Sequence, residues 1–184
     1  ATLNTGVGSQ SLYTNTTGSQ NTAIGYNALQ ANTTGGSNTA VGSQALDANT
    51  TADNITAVGM SALTSNTTGS SNTAVGAYCL DACTTGNNMT AVGLNALTAT
   101  TTGTHSDAFG INSLASMTTG SYNIAYGNSS LTAVTTGQYN VGVGHFAGGK
   151  MTTTTFNVAV GHGAGNETTT GIDNVAVGGQ ALYY

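Results

Sequence analysis

The stretch "NTAVGSQALDANTT", residues 38–51, decides the fold, because the chain repeats it. Near-copies stand at 21–34 as "NTAIGYNALQANTT" and at 72–85 as "NTAVGAYCLDACTT". Aligned on their glycines, units begin at Asn4, Asn21, Asn38, Ile55, Asn72, Met89, Ser106, Asn123, Asn140, Asn157 and Asn174, each 17 residues after the last. Ten full units fill 4–173 without insertion or deletion, and a partial unit covers 174–184. A fixed period of this kind marks a repeat architecture and outranks local readings. Positions within a unit are called phases 1 to 17 below, with the asparagine of "NTA" as phase 1.

The phases are unequal. Phase 3 is Ala or Gly in every unit, phase 4 is β-branched or aromatic, and phase 5 is always Gly. Phase 8 is small, and phase 9 is Leu except at Gly148 and Gly165. Phases 13 and 14 are both Thr in all ten full units, and phase 15 is Gly in eight of them. Short β-branched runs broken by glycine read as strands and corners, and Thr, Asn and Gly are weak helix formers. The pattern predicts one coil per unit: a strand near phases 1–4, a corner, a strand near 8–14, and a second corner. The glycines at phases 5 and 15 would supply the positive φ of the corners. Stacked about 4.8 Å apart in parallel register, the coils make a rod roughly 50 Å long. The fold class is therefore all-β: a parallel β-solenoid, or β-roll, of 10–11 coils with 17 residues each, forming a single rod over 1–184.

Stacking places each side chain over its equivalent in the next coil. Val41, Val58 and Val75 form one expected apolar ladder, and Leu46, Leu63 and Leu80 another. Gly42, Gly59 and Gly76 mark the corners. Thr50, Thr67 and Thr84 pass hydrogen bonds along the rod, as polar ladders do in stacked β structures. Phases 4 and 9 are expected inside, and phases 6, 7, 10 and 16 outside. Two large apolar groups per coil make a thin core. The small residues at phases 3, 5 and 8 fit either a flat coil pressed together or several chains around an axis. Thinness favours the second, a homotrimer, because association supplies missing burial.

Composition excludes several roles. Charged residues are 4% of the chain, with one basic residue, Lys150, against five Asp and one Glu. One cation cannot neutralise a run of phosphates, so nucleic acid is not a partner. No apolar run is long enough to span a bilayer, so no membrane insertion is expected. No nucleophile–base–acid set assembles from these residues, no phosphate loop appears, and no catalysis or cofactor is expected. His145 and His162 share phase 6 in neighbouring coils and are the weak candidates for a metal; the varied residues elsewhere at phase 6 favour surface histidines, and no metal site is assigned. His105, alone at phase 17, reads as surface. Cys79 and Cys83 are too far apart along one strand for a disulfide and read as ladder fillers. Lys150 and Glu167 share phase 11 and should pair across the stack. Eight N-x-[ST] sequons occur, four of them at Asn15, Asn32, Asn49 and Asn66.

The stretches "NTAIGYNAL" and "NVAVGHGAG" resemble the head repeat of trimeric autotransporter adhesins, and the longer "NTAxGxxALxxNTTG" looks like repeats of phage tail-fibre and related virion proteins. The extra "NTT" segment departs from the adhesin unit. The resemblance implies a trimeric, extracellular rod in a virion tail fibre or on a cell surface. Such a rod spaces or presents a tip that attaches to a host receptor or glycan through other parts of the fibre. The missing phases before Ala1 and the unprotected ends fit a segment of something longer, possessing self-contacts as a homotrimer or longer filament. The alternative is an ice-binding solenoid using Thr and Asn rows. On that reading phases 12 and 14 both face outward. Phase 12, however, runs from Asn15, Asn32, Asn49 and Asn66 to Cys83, Thr100, Met117, Val134, Met151 and Thr168, which an ice-binding face should not do. A second drift makes phase 2 and phase 17 more apolar after Asp107, which predicts a change of packing toward tighter chain–chain contact or a neighbouring domain.

Overall fold

The computed structural model describes residues 1–183 as a parallel β-solenoid; Tyr184, the last residue of the partial unit, lies outside the described residues. Eleven strands of three residues each occupy phases 2–4, from β1 (Thr5–Val7) through β3 (Thr39–Val41), β5 (Thr73–Val75) and β8 (Ile124–Tyr126) to β11 (Val175–Val177). They form one sheet in sequence order, every pair parallel and in register, so Thr39 stands over Thr56, Ala40 over Ala57 and Val41 over Val58. No helix occurs among the described residues.

The second strand expected over phases 8–14 is not there. Phases 6–11 form a turn and phases 13–14 a bend. Three non-glycine phases per coil adopt positive φ, as at Asn27 (55°), Leu29 (53°) and Ser37 (59°), and such residues cannot continue a pleated strand. Stacking persists nonetheless, because backbone bonds run between coils all the way around. Leu46 N–H donates to Ala62 O, Ala48 N–H to Thr64 O, and Thr50 N–H to Thr67 O.

The coil interior is phases 1, 3, 8, 9, 12 and 15. In the third coil these are Asn38, Ala40, Ala45, Leu46, Asn49 and Ala52, all buried. Strand pleating puts phase 3 inside and so turns phases 2 and 4 outward. The expected burial of the phase-4 ladder is therefore overturned: Val41 and Val58 are half-buried and Val75 is 37% exposed. The phase-9 leucines Leu46, Leu63 and Leu80 are fully buried. Phase 6 faces solvent in most coils, whereas phases 10 and 16 are mostly half-buried.

Smallness at phases 3 and 8 comes from the flatness of a single coil. A Cβ on Gly142 would meet Ser130 Oγ at 2.5 Å and Leu131 Cγ at 2.7 Å, so phase 3 packs on phases 8 and 9 rather than around an axis between chains. Phase 5 needs glycine twice over. Its φ is +138° at Gly42 and Gly76, and a Cβ on Gly76 would lie 2.6 Å from Gly93 O in the next coil. Phase 15 differs from expectation: no positive φ occurs there, and glycine is used because the next coil's carbonyl approaches closely.

Leucine at positive φ is costly, about 1–2 kcal/mol by the clash of Cβ with the following carbonyl, and full burial of the side chain offsets it by about 1.5–3 kcal/mol. Gly148 and Gly165 avoid the strain and forgo the leucine. Met151 fills the space instead: its Sδ is 2.9 Å from where a Gly148 Cβ would sit, and its Cε is 3.1 Å from that of Gly165.

Candidate functional site: ladders inside and outside the coil

Asparagine ladders hold the interior. At phase 12, Asn49 Nδ2 donates to Asn32 Oδ1 at 2.9 Å and to Ala52 O at 3.2 Å. At phase 1, Asn38 Nδ2 donates to the same Ala52 O at 2.8 Å, while Asn38 Oδ1 accepts from Ile55 N–H at 3.0 Å. In the first three coils two amides thus satisfy a buried phase-15 carbonyl that no backbone donor reaches, as burial of polar groups requires. The phase-12 ladder ends at Asn66, whose buried Oδ1 lacks a partner because Cys83 follows it. Phase 12 therefore faces in, not out, and its drift to Cys83, Met117, Val134 and Met151 is a change of interior packing. The same burial turns the sequons at Asn32, Asn49 and Asn66 away from any glycan-transferring enzyme.

Threonine divides its two phases between structure and surface. Every phase-13 hydroxyl from Thr16 to Thr152 donates to the phase-13 carbonyl of the next coil; Thr50 reaches Thr67 O at 3.1 Å, Thr67 reaches Thr84 O at 3.0 Å, and Thr84 reaches Thr101 O at 3.2 Å. Every phase-14 threonine, from Thr17 to Thr170, is exposed. The outcome is a single file of outward Thr side chains, one per coil.

The strand's outer face is the other continuous feature. Phases 2 and 4 point away from the interior, flanked by phase 17 at the preceding corner. Phe109 and Tyr126 stack at phase 4, with ring centroids 4.3 Å apart. At phase 17, His105, Tyr122, Tyr139 and Phe156 form a column with centroid spacings of 5.0, 4.9 and 5.0 Å. The aromatic drift at phase 17 is legible in the sequence, and His105, expected as a lone surface residue, begins the stack because it shares that phase.

His145 and His162 lie in adjacent coils with ring centroids 5.4 Å apart, both exposed, and His145 also packs on Phe146 at 4.2 Å. No group of three or more His, Cys, Asp or Glu gathers among the described residues. Cys79 and Cys83 are free and buried. Cys79 Sγ donates to Gly93 O, and burial raises its thiol above the ordinary value; burial pushes Cys83 up to about 11. Burial likewise raises Asp47. Lys150 Nζ meets both carboxylate oxygens of Glu167 at 2.7 Å, the pairing that their shared phase predicts.

No family model, curated protein or solved structure matches this chain.

Proposed function

We propose that this chain is the shaft of a homotrimeric fibre or adhesin, a non-catalytic rod that spaces or presents a receptor-binding tip outside a virion or a cell. The observation that carries the reading is the outward phase-4 ladder. A half-exposed apolar residue recurs in every coil, from Val7 to Val177, on the one face where the backbone is a regular strand. A partner that covers it must present a group at every rung, about every 4.8 Å. Another copy of the same chain has that repeat by construction. Three copies joined along phase 4 would bury the ladder and add the association that a thin interior needs. Host contact, through a receptor or glycan, belongs on this reading to other parts of the fibre. Sedimentation equilibrium of the intact chain tests it: three times 18.1 kDa supports the proposal, and a folded species of 18.1 kDa contradicts it.

The file of exposed phase-14 threonines favours one second reading, ice binding. With phase 12 buried, the drift there no longer counts against it. The file is one residue wide, since phase 16 beside it varies from Gly36 to Asp53, Gln138 and Ile172. Thermal hysteresis that is lost in Thr68→Leu would establish it, and its absence in the parent would remove it.

A further inference from the structure

The outer strand face is two surfaces joined end to end. In coils 2–6, phase 2 is threonine and the phase-17 corner is Gln20 or residues such as Ser37, Asn54 and Asn88. The apolar line there is one residue wide, with rows of hydroxyl and amide groups beside it. From coil 8 onward, phase 2 becomes Ile124, Val141 and Val158, and phase 17 becomes the stacked Tyr122, Tyr139 and Phe156. Three apolar columns then run side by side. Tyr122, Ile124 and Tyr126, all in coils 7 and 8, are 45%, 40% and 50% exposed. No charged side chain stands at phases 17, 2 or 4 between Ala108 and Ile172. Asp107, at phase 2 of the seventh coil, marks the change.

We propose that copies of this chain are held together mainly through the coils from Asn123 to Asp173, and that the seam over coils 2–6 is narrow, hydrated and weakly held. The inference rests on the copy-to-copy reading of phase 4 and adds its polarity. A contiguous apolar face of three columns is unusual on a surface that stays in water. Rung matching makes a second copy its fitting cover. The stacked rings present edges outward rather than faces, so they suit interdigitation with an identical ring column, not the stacking of a flat ligand. In the first half, Thr rows at phase 2 keep water beside the valine line.

The test compares two substitutions that both point away from the coil interior and so leave a single coil intact. Val143→Asp places a carboxylate among three apolar columns; Val58→Asp places one beside threonines. Unpaired charge in a dry interface is costly, whereas at a wet seam water screens it. The trimer's dissociation constant should rise at least about 100-fold for Val143→Asp and less than about 10-fold for Val58→Asp. Tyr139→Ser, which adds no charge, should move in the same direction as Val143→Asp by a smaller factor. Circular dichroism checks that each variant keeps the β content of the parent. Equal effects in the two halves, or a larger effect for Val58→Asp, would overturn the polarity. A parent that is monomeric at every concentration would overturn the assembly reading itself, and the two failures are distinguishable.

Discussion

Replacing Asn49 by valine probes the inward amide ladder. The side chain is fully buried and takes part in three hydrogen bonds: two donated by Nδ2, to Asn32 Oδ1 and Ala52 O, and one accepted at Oδ1 from Asn66 Nδ2 at 3.2 Å. Valine removes all three. Ala52 O keeps Asn38 Nδ2, and Asn66 Nδ2 keeps Gly69 O, so Asn32 Oδ1 alone is left without a partner. Three bonds at about 1 kcal/mol each, plus about 1–2 kcal/mol for the orphaned oxygen, oppose roughly 1–2 kcal/mol returned by burying the valine methyls. The net loss is about 3 kcal/mol. Thr51→Val, two residues on at the exposed phase 14, should change stability by no more than about 0.5 kcal/mol. Urea unfolding followed by circular dichroism, at one fixed chain concentration because association contributes, reads both. Equal and small effects would mean that phase 12 faces outward after all, and would refute the interior described above.

Leu97→Ala should cost about 2–5 kcal/mol in the same assay, because Leu97 is fully buried at phase 9, while Leu94→Ala at the exposed phase 6 should cost little. Gly76→Ala should prevent folding, since the new methyl would meet Gly93 O at 2.6 Å with φ at +138°; a variant with parental circular dichroism would refute the close approach of successive coils. Burial pushes the Cys83 thiol up to about 11, above the ordinary thiol range, so folding favours the protonated thiol. Its contribution is fully present below about pH 9 and disappears as pH rises through 11. The parent should therefore lose up to about 3 kcal/mol more stability over that window than Cys83→Ala.

Much of the fold was legible because period and stacking follow directly from one another. A 17-residue phase that never slips permits one coil per unit, and parallel register comes with it. The sorting of phases into inside and outside was harder. In most cores the larger apolar residues go inside. In this coil, strand pleating and flatness decide instead, and alanine goes in where valine goes out. A signal was present: phase 3 never exceeds Ala40 in size, while phase 4 grows from Val92 to Phe109 and Tyr126. A position inside so narrow a coil could not accept those rings. Asn49 is expected outside only on the ice-binding reading, where phases 12 and 14 share a face. Phase 14 does face outward, but phases 13–14 are a bend and not a pleated strand, so phase 12 turns inward, where a stack of identical amides satisfies itself. The turn over phases 6–11 was hidden because Leu46 and Leu63 sit at positive φ, a conformation leucine rarely adopts.

The central claim is that the outward phase-4 ladder is covered by other copies of the chain. A cysteine placed at Val143, which is 38% exposed in the single coil stack and lies in the apolar half, tests it most directly, since Cys79 and Cys83 are buried and contribute no fast reaction. Native Val143→Cys should react with a water-soluble thiol reagent far more slowly than Thr136→Cys on the open threonine file, by at least about 100-fold, and the protection should vanish on unfolding. Equal, fast labelling at both positions in the folded protein would contradict the account.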